Sequence, residues 1–301
     1  MKTNFNKYEN KFNFKLTVLF AVILFASCTK DNDDKTTITQ EEAGINAKID
    51  IASDDISDIV EKEEQSTYSN STTGRTIEAA TTTYSNCATV SRVPAFGTVI
   101  TPGTLVTKTI DFGTTGCLLN NGNSVKGKII ITFTYQPTAT SHTITYTFDD
   151  FYHNAIKYVG TKTFTRVMSE ATATSPSHPI VTMNVDITAT FPNGNSYVRV
   201  GQRVREIVEG FSTPILGDNV YKVTGSWTTS FPNTTIQTST ITTPLKVKLS
   251  CILVNKPLIV QGVITFVRNN NTATLDYGNG DCDNLAVFTI NGNSYNIIIG
   301  N

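Results

Sequence analysis

Val181-Thr182-Met183-Asn184-Val185-Asp186-Ile187-Thr188-Ala189-Thr190-Phe191 alternates apolar and polar side chains from end to end. Successive side chains of a β-strand point to opposite faces, so this stretch offers one face to a core and one to water. The same period of two runs through Ile129, Ile131, Phe133 and Tyr135. It returns in Leu245, Val247, Leu249, Cys251 and Leu253, opposite Lys246, Lys248 and Ser250. Clean alternation belongs to antiparallel strands that cover a core on one side, whereas parallel strands read as continuous apolar runs. Between these stretches fall Pro192-Asn193-Gly194-Asn195, Pro232-Asn233-Thr234, Asn269-Asn270-Asn271 and Asn291-Gly292-Asn293, residues that turn a chain and join neighbours as hairpins. The pattern predicts an all-β body over residues 80–301, a large antiparallel curled sheet or sandwich of about twelve strands.

Two internal regularities sit on this body. Glycines begin or interrupt strand-like runs at Gly127, Gly160, Gly194, Gly225, Gly262 and Gly292, a spacing suited to one hairpin plus its connection. More specific is the match between Thr109-Ile110-Asp111-Phe112-Gly113 ahead of Cys117 and Thr274-Leu275-Asp276-Tyr277-Gly278 ahead of Cys282. In both, the Asp lies six residues before the Cys. This reads as a duplicated, disulfide-closed unit at the two ends of the sheet. Cys87, Cys117, Cys251 and Cys282 allow three connectivities, and the near-equal spacings of 30 and 31 residues favour Cys87–Cys117 and Cys251–Cys282.

Working outward toward the N-terminus, Phe25-Ala26-Ser27-Cys28 closes an apolar run that begins at Leu16 and follows Lys2, Lys7, Lys11 and Lys15. The run is about ten residues, too short to span a bilayer as a helix, and has the form of a lipoprotein signal over residues 1–27. Cys28 is the expected lipidation site, with the membrane as partner through the lipid anchor and the cell envelope as address. Exported chains keep their disulfides, which agrees with the paired cysteines.

Residues 28–40 read as an acidic tether. From 41 to 64, Ile45, Ile49, Ala52, Ile56, Ile59 and Val60 recur at helical spacing and predict one short amphipathic helix, docked on the β body by its apolar stripe. Its other faces carry Asp50, Asp54, Asp55, Asp58, Glu61, Glu63 and Glu64. Residues 65–79, rich in Ser and Thr, read as linker. The net charge of −1 hides an acidic leader and a mildly basic body, and a surplus of about four positive charges over the body is far from a nucleic-acid footprint.

These motifs together with Thr147-Phe148-Asp149-Asp150-Phe151-Tyr152, Val159-Gly160-Thr161-Lys162-Thr163 and Asp276-Tyr277-Gly278-Asn279-Gly280-Asp281-Cys282-Asp283-Asn284 resemble a family of uncharacterised Bacteroidota lipoproteins. The resemblance covers most of residues 40–301 and implies an envelope address and disulfides. It carries no activity or catalytic residues. Lys30 with Asp31, Asp33 and Asp34 after Cys28 resembles the signal for display on the outer face of the outer membrane in such lipoproteins, against which stands a periplasm-facing anchor.

Chemistry-bearing constellations are sparse. His142, His153 and His178 have no metal-ligand spacing from one another or from Cys, and no Gly-x-Ser-x-Gly elbow is present, so neither cofactor nor metal is expected. Asp276 to Asp283 has the oxygen-rich makeup calcium prefers but not the spacing of an EF-hand, and a tight turn explains the same residues. Asp149-Asp150 and Glu206 with Glu209 are the candidates for paired acid and base work, although each pair differs in parity. Arg199, Arg203 and Arg205 share one strand face and are the candidate contacts for an anionic glycan or lipid head group, the alternative being a solvated outer face. The expectation is a non-catalytic envelope lipoprotein that binds a glycan, lipid or protein partner or builds the surface. A polysaccharide hydrolase and a lipid carrier are the alternatives.

Overall fold

The computed structural model describes residues 37–73, 87–172, 176–213 and 216–300. The signal segment, Cys28 and most of the expected tether fall outside the described residues.

The chain enters helix α1 (Gln40–Thr73) through a capping box. Thr39 Oγ1 accepts from the Glu42 N–H at 3.2 Å while the Thr39 N–H donates to Glu42 Oε2 at 3.0 Å, satisfying donors that a helix start leaves open. Ile38 before the cap and Ala43 after it are both buried in one apolar cluster, the staple that sets the entry angle. The helix is longer than the apolar stripe suggests and continues through Thr73, so the first part of the expected linker is helical.

Fourteen strands follow: β1 (Thr89–Val93), β2 (Leu105–Asp111), β3 (Cys117–Leu118), β4 (Ser124–Thr134), β5 (Ser141–His153), β6 (Ile156–Met168), β7 (Pro179–Thr190), β8 (Ser196–Glu209), β9 (Val220–Ser230), β10 (Ile236–Lys248), β11 (Ile259–Arg268), β12 (Asn271–Asn279), β13 (Leu285–Ile290) and β14 (Asn293–Ile298). They form one antiparallel sheet in chain order, with β3 pairing off the path onto β4 and with β1 and β14 as unjoined edges. It is a single curled sheet, the first of the two expected architectures. All four expected turns join neighbouring strands, at β7–β8, β9–β10, β11–β12 and β13–β14. The alternation expected through Leu253 stops at Lys248, because Leu249–Val254 winds into a short 3-10 turn that presents Cys251 to Cys282.

The recurring glycines explain how the sheet curls. Gly160 sits mid-strand at φ +119°, where a Cβ would lie 2.3 Å from the Asp186 carbonyl oxygen of β7, so only glycine permits that kink and that approach. Gly127, Gly225 and Gly262 are placed alike, each with its missing Cβ aimed at neighbouring backbone, while Gly194 and Gly292 serve turns. Kinks repeated from hairpin to hairpin bend a broad sheet around its contents.

Its contents are α1. Nearly every residue from Asn46 to Glu64 is buried, on all faces of the helix. Ile49, Ala52, Ile56, Ile59 and Val60 pack mainly with β2 to β7, whereas Ala43, Ala47 and Ile51 pack with Ile207, Val223 and residues of β10 to β14. Helix side chains bond to strands from β2 to β12, so the sheet wraps the helix rather than receiving one stripe of it.

Candidate functional site

A helix with seven buried acids needs seven answers, since an unpaired carboxylate in a dry interior is expensive and shifts its pKa instead. The sheet supplies most of them. Asp50 takes guanidinium N–H groups from Arg199 and Arg203 and the Tyr277 hydroxyl at 3.3 Å. Asp55 accepts from Asn121, Asn123 and His153 at 2.7–2.8 Å. Asp58 pairs with Lys62, Glu61 with Arg205 at 3.2 Å, Glu63 with Lys108 at 2.9 Å and Glu64 with Arg166 at 2.8 Å. Near the helix start, Glu42 pairs with Arg268 at 2.9 Å.

Arg199, Arg203 and Arg205 therefore share a face, as parity requires, but it is the inner face. The solvated outer face set against the ligand reading in the sequence is not where they lie. Strand β8 reverses the usual order, turning Val198 and Val200 to solvent and its three arginines inward. Hydrophobicity alone predicts the opposite, and the acids of α1 reverse it by demanding counter-charges. Trp227 of β9 lies against the guanidinium groups of Arg199 and Arg203, at 5.0 and 4.1 Å from its ring centroid. The space beside those two arginines is about 10 Å³, room for one water at most.

One of the seven acids, Asp54, has neither a hydrogen bond nor an ion pair. Neither carboxylate oxygen of Asp54 finds a donor, and burial pushes its pKa up to about 6 against the pull of Arg203, Arg205 and Lys162. Opposite it, burial pushes Lys162 down to about 7, helped by the neighbouring Arg203; its Nζ donates to Ser53 Oγ at 2.8 Å.

Where the helix nears its C-terminal end the packing opens into two cavities. The larger, about 600 Å³, is walled by Glu64, Tyr68, Tyr135, His142 and Arg166. The smaller, about 310 Å³, is walled by Glu61, Arg166, Val181, Arg205, Ile207, Phe211 and Tyr221. Gln65, Arg166 and Met168 belong to both, so the cavities adjoin across these side chains. Both volumes fall in the range of small-molecule sites. Arg205 stacks on Tyr221 with its guanidinium carbon 3.6 Å from the ring centroid, and its Nε and Nη2 have no hydrogen-bond partner. Arg166 likewise has no partner at Nε. Of the three candidate arginines, Arg205 lines the smaller cavity, whereas Arg199 and Arg203 line the space of about 10 Å³.

The other candidates are dispersed. Asp150 pairs with Lys157 at 2.7 Å, Asp149 lies 3.8 Å from Lys128, and Glu209 lies 3.6 Å from Lys246. Glu206 meets His178 Nε2 at 3.1 Å, and Ser169 Oγ lies 3.1 Å from His178 Nδ1, an outline of a serine triad. Nδ1, however, is 2.8 Å from the Pro176 carbonyl, an acceptor only. Both ring nitrogens thus face acceptors, the carbonyl and Glu206 hold the imidazole pKa above its usual value, and an Nδ1 whose hydrogen is committed to the carbonyl offers Ser169 no lone pair. Asp276 Oδ1 accepts from the Gly278 N–H and Asp283 Oδ1 from the Leu285 N–H, the self-capping of tight turns. Among the described residues no group of three or more His, Cys, Asp or Glu side chains is arranged to hold a metal ion.

The two bridges are Cys87–Cys117 and Cys251–Cys282. The duplicated motif is real in its chemistry too, because Asp111 Oδ1 accepts from the Gly113 N–H at 2.8 Å just as Asp276 does from Gly278 at 2.9 Å. Phe112 and Tyr277, equivalent in the two copies, are both buried. No helix among the described residues is long and apolar enough to cross a membrane. Comparison of the chain with protein-family models, with curated proteins and with solved structures returned no match.

Proposed function

We propose that this chain is a membrane-anchored cell-envelope lipoprotein with a non-catalytic binding role, its ligand held in the adjoining cavities beside the end of α1. The anchor follows from the Phe25-Ala26-Ser27-Cys28 signal. The binding role rests on one observation above the rest: two adjoining cavities of small-molecule size open beside the end of α1, with Arg166 in the wall of both and Arg205 in that of the smaller. A hydrolase reading is weaker, because each carboxylate expected to act as acid or base is engaged by a cation and the wall carboxylates Glu61 and Glu64 are each held by an arginine. Metabolic labelling with a radioactive fatty acid tests the anchor: the native chain takes up label and a Cys28→Ser variant does not. Label retained by that variant overturns the anchor. Protease treatment of intact cells then tells an outward-facing body, which is cleaved, from a periplasmic one, which is spared.

A further inference from the structure

We infer that strand β14 is the contact edge of a symmetric dimer, pairing antiparallel with β14 of a second copy about a two-fold axis at Asn296. The sheet has two unjoined edges, and they are not alike. Prolines, charges and bulges are the usual protection of a sheet edge against other chains. At one end β1 carries the inward-pointing Arg92 and runs straight into Pro94, which has no N–H to offer an incoming strand. At the other end β14 has none of these devices. It pairs with β13 in unbroken register, and no residue from Asn284 to Asn301 is charged or a proline.

The phase of the ladder is fixed by one bond, because the Ile299 N–H donates to the Asn284 carbonyl at 2.8 Å and Ile298 sits opposite Leu285. Residues of an antiparallel pair alternate between bonded and non-bonded, so the N–H and C=O groups of Ser294, Asn296 and Ile298 face away from β13. Gln40 Nε2 already donates to the Asn296 carbonyl at 3.1 Å, which marks this row as open to donors, and a carbonyl keeps a second lone pair. All three residues are exposed.

Turned about a two-fold axis at Asn296, this row is complementary to itself. Asn296 meets the second copy's Asn296, and Ser294 meets its Ile298. On the other face of the strand Tyr295, 42% exposed, comes opposite the second copy's Ile297, an aromatic and β-branched pair of the kind that stabilises antiparallel strands. The two-fold makes that pair twice, which favours a second copy over a strand of another protein. With no charge on β14 nothing repels the copy, and two open sheets become one. No residue of β14 lines either cavity, so the pairing is independent of the ligand reading.

Sedimentation equilibrium of the full chain in mild detergent, over a concentration series, is expected to show single chains giving way to a species of twice the mass. Asn296→Lys and Asn296→Asp each set like charges opposite one another at the axis, and each is expected to weaken the dimer about fivefold. An equal mixture of the two variants sets Lys against Asp and is expected to restore it. Asn296→Pro removes an N–H that faces away from β13, so the chain keeps its own ladder and is expected to stay single throughout the series. These changes are at an exposed position, and circular dichroism checks that each variant is folded. An unchanged chain that remains single at every concentration overturns the inference, and so does an Asn296→Pro protein that dimerises like its parent. Charge variants that dimerise no better mixed than apart overturn the two-fold register at Asn296.

Discussion

Two aspartates four residues apart on α1 should respond to the same substitution with opposite signs. Asp54 carries no hydrogen bond and its pKa stands at about 6 in the folded chain against 3.8 outside it, with burial as the largest cause. A raised acid pKa means that folding favours the protonated form, so the contribution of Asp54 to stability is fullest in acid and is lost as pH rises from about 4 through about 6. The shift of about two units corresponds to roughly 3 kcal/mol lost above that window. Asp54→Asn removes the charge without changing shape, and should stabilise the chain by up to about 3 kcal/mol at about pH 7.5 and by almost nothing at about pH 4. Asp50→Asn is the contrast, because it strips the charge shared by Arg199 and Arg203. Removing one side of a buried pair costs about 3 to 5 kcal/mol. Urea unfolding followed through Trp227 fluorescence, with disulfides intact and at several pH values, reads both. An Asp54→Asn protein that is less stable near neutrality refutes the reasoning, for the carboxylate would then be held favourably by the field of Lys162, Arg203 and Arg205. Persistence of the acid-side slope in that variant would do the same.

Gly201 of β8 faces Trp227 of β9, and a Cβ there would lie 2.4 Å from the Trp227 Cα, so Gly201→Ala should lower unfolding free energy by about 1 to 3 kcal/mol or more in the same assay. The Pro176 carbonyl and Glu206 raise the His178 pKa; that contribution is complete below its unfolded pKa of 6.5 and fades as pH rises through the higher folded value. A His178→Gln protein should therefore show a flatter stability profile from pH 6.5 upward, measured by urea titration at each pH. Cys251→Ser with Cys282→Ser opens a bridge of sequence separation 31 and should cost about 3 to 4 kcal/mol, read as an earlier urea midpoint than the parent chain.

Strand alternation, turn residues and cysteine spacing are local properties, and each was legible. Val181 to Phe191 shows the period that becomes β7, and Asn291-Gly292 the turn that becomes the last hairpin. The duplicated Asp-Phe/Tyr-Gly segments were legible because an aspartate capping its own turn needs nothing beyond its neighbours. The helix start carried a signal in Thr39 and Glu42 that apolar periodicity passes over, and the end at Thr73 carried none, since Ser and Thr are poor helix formers. Gly127, Gly160, Gly225 and Gly262 were visible as a spacing, while their purpose as kinks depends on backbone approaching from the next strand.

The candidate site was half legible. Arg199, Arg203 and Arg205 stood out by parity, and their partners Asp50 and Glu61 stood out as acids, but no local rule pairs residues some 150 positions apart. The cavity beside Arg205 draws its wall from α1, β6, β7, β8 and β9, and such a wall exists only once the sheet has curled.

From its order of residues alone the chain settled that it makes an antiparallel sheet with a helix before it, and which side chains share a face of each strand. Period and parity require nothing but covalent geometry. Which of the two faces of β8 looks inward was decided only in three dimensions. Burial usually follows hydrophobicity, but here the interior is occupied by an acidic helix, and the cost of leaving Asp50 and Glu61 without cations exceeds that of leaving Val198 and Val200 in water.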